Sequence, residues 1–140
     1  MADPIRMLGS AIDLSPRVVS SSTIVGSPAT NTETIVCQIP AINAISQVVS
    51  GVFLSGVVSF TVGTSGTAVN VRIRQTNVAG TVVAATGAIT GGVSATNLLS
   101  QDIQGFDVTP GVAVYVLTLQ VTGGAAISTV SATNLVAIVI

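Results

Sequence analysis

Histidine, lysine and tryptophan are missing from this 140-residue chain, and cysteine occurs once. Each absence removes a class of chemistry. Without His there is no Ser-His-Asp or Cys-His relay. Without Lys there is no P-loop, Schiff base or Ser-Lys dyad. Zinc sites draw on several Cys or His side chains, and Cys37 stands alone. It has no partner for an internal disulfide. In Ile35-Val36-Cys37-Gln38-Ile39 it lies in phase with the two Ile, so it reads as a small buried hydrophobe. No catalytic signature is present, and the expectation is a non-enzyme with no cofactor and no metal.

Charge is the next scarcity. Four Arg face five acids, for a formal net charge of −1, and only 6% of residues are charged. An ordinary soluble domain of this length carries about 35 charges. Ser, Thr, Gly, Asn and Gln fill the gap, while the mean hydropathy is +0.84. A disordered chain would instead be charged and poor in Val and Ile. A compact monomer of this mass exposes about 6,600 Å², which leaves one charge per roughly 700 Å². A freely soluble monomer carries many more. Much of the exterior is therefore expected to be covered by copies of the chain or by a partner. Nucleic acid is a poor fit, because the chain is net acidic and has no basic stripe or stacking platform. A membrane is a poor fit too. No apolar run is long enough for a helix, and four aromatic residues make no girdle for a barrel. Met1 to Arg6 has no apolar core of a secretory signal behind it, so synthesis in a host cytoplasm is expected.

What is abundant is Val, Ile, Thr and Gly, the composition of strands and turns. Val112 to Thr122 alternates most clearly: Ala113, Tyr115, Leu117, Leu119 and Val121 share the face that reads as core. Thr67 to Gln75 puts Val69, Val71 and Ile73 inward, with Arg72 and Arg74 outward. Thr32 to Ile39 is a strand ended by Pro40. Val48 to Val62 contains Gly51 and Gly56, which predicts a bent or bulged strand, or two strands. Further strands are expected at Thr81 to Ala85, Ala95 to Gln104 and Ile127 to Val139, with an edge strand at Val18 to Val25. Gly- and Pro-containing turns separate them at hairpin spacing. The fold class is all-β: a single jelly-roll-like β-sandwich of seven or eight strands over residues 21–140. Residues 1–20 hold Arg6, Arg17 and both Met, and read as an extended arm that docks on a neighbour.

Three features mark candidate surfaces. Arg72 and Arg74 stand about 7 Å apart on one strand face, a spacing suited to gripping a carboxylate or phosphate. Asp102 and Asp107 form the one close acid pair of the β region; they read as loop acids, with a shared Ca²⁺ as the functional alternative. The tail Leu135-Val136-Ala137-Ile138-Val139-Ile140 is apolar on both faces, so it must lie centrally in a sheet or between subunits. Val114, Val116, Ile138 and Ile140 are the candidate subunit contacts. Arg6, Arg17, Arg72 and Arg74 are the candidate docking residues.

The stretches Thr61 to Arg74 and Gly111 to Gly123, with the charge-free tail, resemble small β-rich virion proteins of tailed bacteriophages. The likeness runs over residues 30–140. It implies a decoration (cement) protein, commonly trimeric, bound to the major capsid protein on the outside of a head shell. The virion would then be its location. Two other roles suit a similar sandwich: a receptor- or glycan-binding tip module of a fibre or tail, and a shell or filament subunit that assembles by itself.

Overall fold

The computed structural model describes residues 17–21, 31–43, 51–62, 68–90, 98–110, 112–122 and 127–140. Nine strands cover most of them: β1 (Arg17–Ser21), β2 (Glu33–Asn43), β3 (Val52–Val62), β4 (Ala68–Gln75), β5 (Val82–Ala85), β6 (Ile89–Thr90), β7 (Leu98–Asp107), β8 (Val112–Thr122) and β9 (Ile127–Val139). They form two antiparallel sheets. Sheet A runs β1-β9-β3-β7, and sheet B runs β2-β8-β4-β5, with β6 pairing further along the same β4. Counting β5 and β6 as one interrupted strand, this is the order of an eight-stranded jelly roll built from two Greek keys.

The core lies between the sheets. Leu54, Val58, Phe60, Leu135 and Ala137 come from sheet A, and Ile39, Val71, Ile73, Tyr115, Leu117 and Leu119 from sheet B, all with no exposed surface. The alternation expected of β4 is observed; in β8 the expected core residues Tyr115, Leu117, Leu119 and Val121 are buried, and so are Val116 and Thr118 of the opposite face. Gly56 faces the core tightly: a Cβ there would stand 3.0 Å from Leu117 Cδ1 of the facing sheet and 3.2 Å from Ile103 Cγ2 of the neighbouring strand.

Several boundaries differ from expectation, each for a physical reason. β2 does not stop at Pro40 but runs on to Asn43. It is an edge strand pairing only with β8 in its sheet, and its register shifts between Ile39 and Ile42, so the missing N–H is accommodated at a bulge. A second shift between Ile35 and Cys37 turns both Val36 and Cys37 into the core, while Ile35 stays half-buried. β3 is a single strand from Val52 onward; its shifts against β9 fall at Ser59/Phe60 and Thr61/Val62, not at the glycines. β7 continues to Asp107, so Asp102 and Asp107 are strand residues. Asp102 is exposed and Asp107 is buried on the opposite face, which corrects the shared-loop reading. Residues 22–25, expected to continue the first strand, lie outside the described residues, as do residues 1–16 of the expected arm.

Candidate assembly surfaces

Sheet B places an arginine clasp on its outer face. Residues of the same parity on β4 and β8 face outward, and registry sets Arg72 beside Thr118 and Arg74 beside Val116. β2 flanks β8 on the other side and brings Glu33 opposite Gln120. Arg74 grips Glu33 with two donors: Nε to Oε1 at 2.7 Å and Nη2 to Oε2 at 3.0 Å. Its Nη1 donates to the Gly80 carbonyl at 2.9 Å. Arg72 Nη1 lies 3.3 Å from Glu33 Oε2 and donates to Gln120 Oε1 at 2.9 Å. The Thr118 hydroxyl also donates to Glu33 Oε1. Burial alone would raise the Glu33 carboxyl. The hydrogen bonds from Arg74 and Thr118, and the charges of Arg74 and Arg72, outweigh it and hold the group below its ordinary value. The carboxylate gripped by the two arginines thus belongs to this chain.

A second polar cluster closes one end of the sandwich. Asp107 ends β7 and turns inward. Its Oδ2 accepts from Tyr115 Oη at 2.7 Å and from Gln75 Nε2; its Oδ1 accepts from the Thr109 N–H at 3.0 Å. Burial would raise this carboxyl as well, and these donors pull it below its ordinary value. Burial, then the hydrogen bond and charge of Asp107, push the Tyr115 phenol well above its usual range. Among the described residues, no three His, Cys, Asp or Glu side chains come together as a metal site would need.

The outer face of sheet A is of a different kind. Registry aligns Val18 with Ile138, Ile138 with Phe53, and Phe53 with Phe106. One apolar row therefore crosses all four strands. Its ends are open, with Val18 61% and Phe106 45% exposed, and its centre is half-covered by neighbours. Ile140 pairs through its backbone with Gly51 and is 54% exposed; Val108, just past β7, is 69% exposed. Gly51 is needed here: a Cβ would sit 2.5 Å from Phe106 Cζ, so the ring lies where a side chain would be. Ser20, Val136, Ser55 and Gln104 form the next row, and Asp102 is the one charged residue of β3, β7 and β9 on this face.

The sequence-derived candidates fall in different places. Ile138 and Ile140 belong to the sheet A surface. Val114 is half-buried on β8, and Val116 has no exposed surface. Arg72 and Arg74 are in the clasp. Arg17 opens β1, pairing by backbone with Val139, and Arg6 lies outside the described residues. Sequence reasoning missed Val18, Phe53 and Phe106 as partners of Ile138. Two of the three Phe of this chain are there, so the scarce aromatics were the available signal.

No protein-family model matches the chain, and no curated protein sequence does. Solved structures match in fold. A mutant VP2 protein of infectious bursal disease virus, in derived T=1 particles, has a TM-score of 0.59 at 15% identity, over 90% of this chain and 32% of that one. The structure of the Gx strain of the same virus has a TM-score of 0.58 at 16% identity, over 89% and 32%. The VP2 subviral particle has a TM-score of 0.55 at 17% identity, over 92% and 33%. The chain spans about a third of the length of these virus-particle proteins. The likeness is one of fold.

Proposed function

We propose that the chain is a non-enzymatic structural protein of a virus particle that associates with its own kind. The observation that carries this reading is the apolar row across sheet A, on a chain whose Glu33, Arg72 and Arg74 charges are already paired at home. An apolar row that runs unbroken across a sheet face, rather than single scattered apolar residues, is where an interaction surface is sought. The fold shared with virus-particle proteins supports the same reading. In its finer form the protein is a bacteriophage head decoration protein, a homotrimer that binds the major capsid protein, with Arg6 of the arm and Arg17 at the start of β1 among its docking residues. The mechanism is then mechanical: shell rupture must expose apolar area buried between copies. The test is the mass of the purified protein in solution, followed by binding to empty heads. A trimer that binds heads, and binds less well after removal of residues 1–17, is the expected result. A monomer that ignores them defeats the proposal.

The VP2 particles favour a second form of the reading, in which the chain is itself a self-assembling shell subunit. Electron microscopy of purified protein separates the two: closed particles without any scaffold belong to the second.

A further inference from the structure

We infer that the outer face of sheet A is a two-fold contact between copies, in which the row Val18–Ile138–Phe53–Phe106 lies against the same row of a second molecule. The inference rests on the self-association proposed above and names the face and its occupant.

Two observations select a second copy, and a third sets the strength of the contact. First, charge: Asp102 is the one charged residue of β3, β7 and β9 on this face, so a charged partner finds almost nothing to complement, and a copy brings no net repulsion. Second, shape: the row has a small residue at one end, Val18, and a large one at the other, Phe106, with Ile138 and Phe53 between them. A two-fold axis along the strands lays β7 over the partner's β1. It sets each Phe106 on a Val18 and each Phe53 on an Ile138, so large meets small throughout. Two sheets pack face to face in this way about 10 Å apart. Third, area: four strands at about 4.8 Å spacing and two to three rows give roughly 300 Å² per copy, or roughly 600 Å² when two meet. A stable dimer needs about 1,200 Å² or more. The contact is therefore weak alone and adds up when each copy is held elsewhere too. Where its axes cross the symmetry axis of a closed oligomer, a two-fold contact doubles that oligomer, and a trimer then pairs into a hexamer.

Analytical ultracentrifugation across concentration tests this. The wild-type mass is expected to double between about 10 µM and 1 mM. Phe106→Asp and Val18→Arg, each confirmed as folded by circular dichroism, should each abolish the doubling. An equimolar mixture of the two should restore it, because one junction of the mixed pair then joins opposite charges and the other is native. Both substituted side chains are partly exposed; should Phe106→Asp not fold, Val18→Arg alone still reads the contact. A closed oligomer that never doubles overturns this contact and leaves the proposed function standing. A monomer at every concentration overturns both. Variants that double like wild type, or a mixture that does not recover, overturn the arrangement.

Discussion

Thr76, just after β4, holds a φ of 68°, a left-handed conformation that a β-branched residue adopts at a cost. Its N–H donates to the Val114 carbonyl at 2.6 Å, which ties the turn to β8. Asn accepts this conformation more readily. Thr76→Asn is therefore expected to raise stability by up to about 1 kcal/mol, seen as a higher urea midpoint at unchanged slope. In the same turn Gly80 has no room for a side chain, since a Cβ would fall 1.6 Å from the Gln75 carbonyl oxygen. Its own carbonyl holds Arg74. Asp107 is the other sensitive position. Asp107→Asn brings an NH₂ among the donors of Gln75, Tyr115 and Thr109. The expected loss is about 2 kcal/mol by the same urea measurement.

Among the elements, sheet B depends on the clasp, which links β2, β8 and β4 through side chains as well as ladders. Glu33→Gln removes the charge that Arg72 and Arg74 share. It should cost about 1–3 kcal/mol, while Arg74→Lys should lose part of that because one ammonium cannot make the two-pronged grip. The carboxyls also set an acid limit. Glu33 and Asp107 titrate lower in the folded chain than in the unfolded one. Their contribution is complete above the ordinary values of 4.5 and 3.8, and is lost as pH falls through the lower folded values. The melting temperature should hold between pH 6 and 5 and decline below about pH 4, less steeply in Glu33→Gln. The sequence made β4 and β8 legible because one face of each is apolar without interruption. It made β2 legible as a strand but not its end or its inward-facing side chains, because bulges change which residues point inward and no local pattern marks one. The arginine pair was visible, but its carboxylate was not. Glu33 is 41 residues from Arg74, and only the β2-β8-β4 strand order brings them together.

For the whole molecule, β9 decides whether there is a fold at all. It lies between β1 and β3 and gives Leu135, Ala137 and Val139 to the core. Of the two placements expected of an apolar, charge-free tail, centrally in a sheet or between subunits, β9 takes the first within sheet A, while Ile140 stays exposed. The outward row formed by its other side chains could not be read beforehand, because register across four strands is a property of pairing. Removing residues 135–140 should leave no cooperative unfolding transition by circular dichroism. The proposed sheet A contact should also tolerate salt: raising ionic strength from about 0.1 to 1 M screens charges but leaves an apolar contact intact. Cys37, meanwhile, is 1% exposed in the middle of this core. A maleimide dye in the buffer cannot reach that sulfur until the sandwich opens. Every labelled molecule is therefore one whose sandwich has opened, and the one thiol becomes a clock for how long the folded state survives.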